Sequence, residues 1–254
     1  MLIPVSNVLR CRGHQALVAE CAISPDGTWI VSSSADATLK IWDAHTRSKS
    51  FTFQNHTAEV TGCAISSDGE WILTASDDHT LKIWDARTGR HRRTLWGHKQ
   101  AVLGCAISPD GTWIVSASAD DTLKIWDART GRQRLNMQGH MSAVRRCRVS
   151  PNGEWIVSAS WDGTLKIWDA NTGAERMTLQ GHKAEVNDCA VSSDNSLILS
   201  ASWDTTVKVW DARTGICFIT FYTDEPLFSC AFHPDGKHLV AGGMGDVYFL
   251  CFLK

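Results

Sequence analysis

The sequence predicts an all-β fold, a six-bladed β-propeller of four-stranded antiparallel blades forming one domain over residues 1–254. Three observations lead there. The dipeptide Trp-Asp recurs at Trp42-Asp43, Trp84-Asp85, Trp126-Asp127, Trp168-Asp169 and Trp210-Asp211, always 42 residues apart. Each unit holds short alternating segments rich in β-branched and aromatic residues, the period-2 mark of strands. Turn dipeptides separate these segments at fixed offsets. A unit of this size cannot bury a core alone, so the units must stack.

The unit that starts at Gly97-His98 shows the elements in order. AVLGCAIS, WIVSAS and TLKIWD are three strands, and a fourth follows each unit, as over 92–96. Pro109-Asp110-Gly111 is the first hairpin turn, repeated as Asp26-Gly27, Asp68-Gly69, Asn152-Gly153 and Asp235-Gly236. Thr88-Gly89, Thr130-Gly131, Thr172-Gly173 and Thr214-Gly215 mark a later turn. Inner three-strand sets fall near 19–43, 61–85, 103–127, 145–169, 187–211 and 228–252. The last set is degenerate: Leu250 stands where Trp is expected, and the chain stops at Lys254 without a fourth strand. An extra strand over Val8–Arg12 precedes the first unit. Pairing this N-terminal strand with the C-terminal blade is expected to close the ring and remove two open edges, the alternative being a fragment of a longer array.

Composition narrows the function. Net charge is −2, which gives no strong field for nucleic acid or an anionic membrane. No apolar run approaches a membrane span, and the first residues lack a signal-peptide core. Six of the nine cysteines (Cys21, Cys63, Cys105, Cys147, Cys189 and Cys230) hold one strand position in successive units. They are expected to be buried reduced thiols facing the core of a cytoplasmic protein. Their spacing does not suit zinc, and no cofactor or metal is expected.

The Gly-His…Asp…Trp-Asp units resemble the WD-repeat β-propeller family over essentially the whole chain. That resemblance implies a buried hydrogen-bonded relay in each blade. Its members would be His14, Ser34, Asp36 and Trp42; His56, Ser76, Asp78 and Trp84; His98, Ser118, Asp120 and Trp126; His140, Ser160, Asp162 and Trp168; and His182, Ser202, Asp204 and Trp210. The chemistry fits, since an indole N–H only donates, a hydroxyl and a neutral imidazole do both, and Asp ends the chain as acceptor. Ser, His and Asp also make hydrolase triads, but five equivalent copies tied to a Trp are a structural device, so no enzyme is expected. No Gly-x-Ser-x-Gly elbow or phosphate loop accompanies them.

Other repeated residues read as structure. In-phase Trp29, Trp71, Trp113 and Trp155 favour packing between blades over coating the face opposite the histidines. Lys40, Lys82, Lys124, Lys166 and Lys208 are expected to form a solvated stripe. Arg90, Arg92 and Arg93 read as a charged edge strand rather than a nucleic-acid contact. Trp-Asp-Ala-Arg at Asp85–Arg87, Asp127–Arg129 and Asp211–Arg213 resembles a box that docks some family members onto a cullin ligase adaptor, but here it is part of the repeat.

Function is expected where the copies differ. The family mostly binds proteins or peptides around the central channel, which implies a noncatalytic, monomeric scaffold with a protein or peptide ligand. The alternative is an adaptor or regulatory subunit of an enzyme complex, a ubiquitin ligase or a signalling ATPase. The uniform array resembles the sensor ends of prokaryotic and fungal signalling ATPases. Family positions at the channel mouth map onto Trp161, Trp203, Arg145, Phe228, Glu185, Asn187, Asp77 and Glu59. Trp and Arg are enriched in binding hot spots, so the side carrying Trp161, Trp203, Phe228 and Arg145 is the expected contact surface.

Overall fold

The computed structural model describes residues 13–233, 235–236 and 238–251, which form 23 strands and no helix. Blade one is β1 (Val18–Ile23), β2 (Trp29–Ser34), β3 (Thr38–Asp43) and β4 (Lys49–Gln54). Blade two is β5 (Val60–Ile65), β6 (Trp71–Ser76), β7 (Thr80–Asp85) and β8 (His91–Trp96). Blade three is β9 (Val102–Ile107), β10 (Trp113–Ser118), β11 (Thr122–Asp127) and β12 (Gln133–Gln138). Blade four is β13 (Val144–Val149), β14 (Trp155–Ser160), β15 (Leu165–Asp169) and β16 (Glu175–Leu179). Blade five is β17 (Val186–Val191), β18 (Leu197–Ser202), β19 (Thr206–Asp211) and β20 (Cys217–Tyr222). Blade six is β21 (Leu227–Phe232), β22 (His238–Gly243) and β23 (Val247–Cys251). Five sheets thus have four strands and the sixth has three, all antiparallel in sequence order. The strand expected over Val8–Arg12 lies outside the described residues.

Turn chemistry sets the blades. In blade three the Ser108 hydroxyl donates to Asp110, whose Oδ1 accepts the Thr112 amide at 3.0 Å. Gly111 takes φ +69°, a left-handed conformation that only glycine adopts freely. The same turn recurs around Asp26, Asp68 and Asp194.

The first strands β1, β5, β9, β13, β17 and β21 pack in that order around the centre. The core lies between blades rather than inside them. Leu73, Ile83 and Leu95 of blade two pack with Val102, Ile114 and Trp126 of blade three. Trp71 and Trp155 are buried in such seams, and Trp29 and Trp113 pack against them, so these tryptophans do lie between blades. Burying each such side chain contributes roughly 1.5–3 kcal/mol.

Two sequence expectations are corrected. Lys40, Lys82, Lys124 and Lys166 are buried and Lys208 half-buried, not a solvated stripe. Nζ donates across the sheet to the paired residue of the fourth strand, Thr94 from Lys82, Asn136 from Lys124, Thr178 from Lys166 and Thr220 from Lys208, while Lys40 donates to Thr38. Five of the in-phase cysteines are buried, but Cys21 on β1 is exposed. Burial pushes the Cys147 thiol up to about 12, which keeps it protonated and inert.

Each first strand carries a β-bulge at its second residue. Register skips Ala19, Thr61, Leu103, Arg145, Asn187 and Phe228. A bulge takes one residue out of the ladder and re-aims its side chain. These six positions sit at the end of the channel where the relay loops lie.

Candidate functional site

The relay is present in five blades, with one correction. In blade three Trp126 Nε1–H donates to Ser116 Oγ at 2.8 Å, and Ser116 lies 2.7 Å from His98 Nε2. His98 Nδ1 lies 2.9 Å from Asp120 Oδ2. The indole can only donate, so the hydroxyl donates to Nε2 and Nδ1–H donates to the carboxylate. The hydroxyl is therefore that of Ser116, two residues before the expected Ser118. Ser32, Thr74, Ser158 and Ser200 do the same work in the other blades, in place of Ser34, Ser76, Ser160 and Ser202. The displaced serines hold the adjoining turn: Ser118 Oγ donates to the Ala101 carbonyl and accepts the Asp120 amide.

Each relay Asp accepts more than its histidine. Asp120 also takes the Lys99 and Thr122 amides and the Thr122 hydroxyl. Burial opposes its ionisation, but the bonds from His98 and Thr122 outweigh it and hold the carboxyl well below the usual range. Burial lowers the pKa of His98 despite Asp120, so the imidazole is neutral at pH 7. The arrangement ties the loop entering each blade to its second and third strands.

The same loops define the mouth. The residue before each relay Asp donates its amide to the carbonyl of the residue just ahead of the first strand of its own blade. Asp77 bonds Glu59, Trp161 bonds Ala143, and Trp203 bonds Glu185. On this face Trp161 and Trp203 are each 45% exposed and Phe228 41% exposed, while the corresponding residues of blades one and three are Ala35 and Ala119. Trp203 and Phe228 meet edge to face with centroids 5.6 Å apart. No ring contact joins Trp161 to this pair among the described residues.

The polar candidates divide. Glu59 and Glu185 are exposed, and Asp77 is half-buried with its pKa raised by burial, against the pull of Arg145. Asn187 is 5% exposed, and its Nδ2 donates to the Leu227 carbonyl at 2.8 Å, so it is an inter-blade link rather than an open contact. Thr61 plays that part between blades two and three, bonding the Val102 carbonyl. Arg145 donates to the Leu103 carbonyl at 3.3 Å. Burial and then Arg146 lower its pKa, Glu20, Asp188 and Asp77 act on it only at longer range, and it makes no salt bridge among the described residues.

Below the mouth lies a charged network that the repeat pattern had hidden. Arg146 donates to Glu20 at 3.0 Å, and Arg148 lies 3.5 Å from Glu20 and 3.4 Å from Asp188. Glu20 Oε2 also accepts the Cys63 amide and Asp188 Oδ2 the Cys230 amide, each at 3.0 Å. Four blades are thereby pinned through blade four. For Arg148, burial works against the charge, yet Asp188 and Glu20 outweigh it and raise its pKa. A cavity of about 350 Å³ opens beside these groups, bounded also by Val18, Cys21 and Ser229. Gly62 makes room, since a Cβ there would come within 3.1 Å of Glu20 Oε2. The signal was in the sequence: Arg148 stands where the other units carry Ala22, Ala64, Ala106, Ala190 and Ala231.

The family model for the WD domain, G-beta repeat, matches residues 6–43, 47–85, 89–127, 131–169, 173–211 and 215–246. Ribosome biogenesis protein BOP1 of Mus musculus is 50% identical over 43 residues, 17% of this chain and 6% of that protein. Ribosome assembly protein 4 of Saccharomyces cerevisiae is 46% identical over 46 residues, 18% of this chain and 9% of that protein. Both matches are about one repeat long, so they report the repeat itself.

Proposed function

The chain belongs to the WD-repeat family, and from that premise we propose that it is a noncatalytic scaffold that binds a protein or peptide at the channel mouth. The observation that carries this reading is the half-exposed group Trp161, Trp203 and Phe228 on neighbouring blades of a rigid frame. Exposed aromatic groups of this kind mark contact surfaces. Arg145, with no salt bridge among the described residues, suits an acidic group beside an apolar anchor in the ligand. The noncatalytic reading draws on the relay: Ser116 is fully buried and occupied by an indole and an imidazole, which is no place for a nucleophile.

A second reading, an adaptor or regulatory subunit in a larger assembly, draws on the relatives named for ribosome biogenesis and assembly. Recovery of an enzyme at one-to-one stoichiometry favours it. The buried protonated thiols suit a reducing compartment, in keeping with a cytoplasmic location. No helix among the described residues is long and apolar enough to cross a membrane.

The test begins with affinity purification and mass spectrometry to identify the ligand. Its affinity is then measured for Trp161→Ala, Trp203→Ala and Leu17→Ala, the last an exposed residue of blade one. Losses of roughly 2 kcal/mol at the tryptophans alone fit a hot spot. Equal, negligible effects at all three positions overturn the assignment.

A further inference from the structure

The turn between β21 and β22 departs from the repeat at two places at once. His233 stands where the other blades carry Ser24, Ser66, Ser108, Ser150 and Ser192. His238 stands where they carry Trp29, Trp71, Trp113, Trp155 and Leu197. Both imidazoles close on Asp235, which keeps the aspartate of the repeated turn. His233 Nδ1 is 3.1 Å from Asp235 Oδ2 and His238 Nδ1 is 2.5 Å from the same oxygen. The backbone fixes the pair across the hairpin: the His233 amide donates to the His238 carbonyl at 2.8 Å, and the rings sit 5.9 Å apart. All three side chains are exposed, so no core packing explains two histidines here.

We propose that His233, Asp235 and His238 form a surface site for a transition-metal dication of borderline softness, zinc or nickel, that leaves at least one coordination position open. The donor set is two imidazole nitrogens and one carboxylate oxygen. Imidazole suits zinc, copper and nickel, whereas magnesium and calcium want oxygen alone. The candidate ligand atoms all lie within 4.8 Å of one another. Ligands bonded at ~2.0–2.2 Å around a tetrahedral ion are separated by roughly 3.3–3.6 Å. The His233–Asp235 spacing needs little change, and the His238–Asp235 spacing opens by about 1 Å once the ion replaces the shared proton. Three protein ligands from one hairpin leave the fourth position to water or to a side chain of a docked molecule. The site lies at the end of blade six opposite the aromatic mouth, because β21 runs from one face to the other, and it does not depend on the binding role proposed for that mouth.

Tag-free protein titrated with zinc chloride in a calorimeter is the direct test. One equivalent should bind, with no competition from excess magnesium. His233→Ala and His238→Ala should each weaken binding by about tenfold or more, and the double variant should lose that equivalent. Asp235→Asn keeps an acceptor for the His238 amide but removes the charge, and should weaken zinc while leaving the melting temperature unchanged. Cys21→Ser and Cys251→Ser, which change the exposed thiols among the described residues, should retain the site. Absence of zinc binding in the wild-type protein, equal binding of magnesium, or an unchanged equivalent in the double variant each overturns the proposal.

Discussion

Replacing Ser116 by alanine tests whether the relay holds a blade together. Ser116 is fully buried, and its hydroxyl bonds both the Trp126 indole and the His98 ring. Alanine leaves both nitrogens inside the protein without a partner. A buried polar group left unsatisfied costs about 1–3 kcal/mol, so the expected loss is about 2–6 kcal/mol. Thermal unfolding reads it directly: at about 2–4 °C per kcal/mol for a domain of this size, the melting temperature should fall by roughly 4–24 °C. Two companions give the experiment its discrimination. Ser118→Ala removes turn hydrogen bonds to the Ala101 and Gln100 carbonyls and an acceptor for the Asp120 amide, and should cost less. Ser116→Thr should be mild, because Thr74 already fills this position in blade two, 2.7 Å from His56 Nε2 and 3.0 Å from Trp84 Nε1. If Ser118→Ala proves the more damaging, the hydroxyl assignment is wrong.

Four further outcomes follow from the same geometry. Glu20→Ala strips Arg146, Arg148 and the Cys63 amide of a shared acceptor and should cost about 3–5 kcal/mol, partly recovered in Glu20→Gln; an unchanged denaturation midpoint would show that the network is decorative. Thr205 is β-branched at φ +62° where blade four uses Gly163, so Thr205→Gly should gain about 0.5–1 kcal/mol by calorimetry, and a loss would refute the strain. Melting should depend on pH in two windows. Asp36, Asp78, Asp120, Asp162 and Asp204 all have depressed pKa values, so their contribution is full above the unfolded carboxylate pKa of about 3.9 and is lost as pH falls below it. His98 is held neutral by burial, so further stability is lost as pH falls below about 6.5, and a melting temperature constant down to pH 3 contradicts both. Removing residues 1–12 should lower the melting temperature on the closure expectation, since β23 leaves Val247 and Phe249 exposed; an unaffected monomer counts against closure.

The architecture was legible because each unit repeats its strand pattern, turn and Trp-Asp in register. The relay was legible in its members but not in its serine. In WIVSAS, Ser116 and Ser118 lie two residues apart and so share one face of β10. Only the pairing of β10 with β11, which sets Ile114 opposite Trp126, decides that the indole reaches Ser116. The strand lysines misled for a similar reason: a lysine in an alternating strand reads as outward, yet here Nζ is engaged by the residue opposite it on the fourth strand. The charged network escaped because the repeat was read through likeness. Glu20 and Arg146 are 126 residues apart, and nothing local links them.

The bulges explain why variation collects at the channel mouth. The side chain two residues on is buried in five of the six blades, and that position stays cysteine in all six. The bulged residue has no ladder partner. Its six occupants are Ala19, Thr61, Leu103, Arg145, Asn187 and Phe228, no two alike. Two of them, Thr61 and Asn187, are spent on a carbonyl of the next blade, and Arg145 reaches back to one in the blade before. Phe228 makes no such link and turns outward onto Trp203. A frame of repeated blades thus fixes where side chains project while leaving their chemistry open, and the binding proposed for this chain would rest on the few positions that the repeat does not dictate.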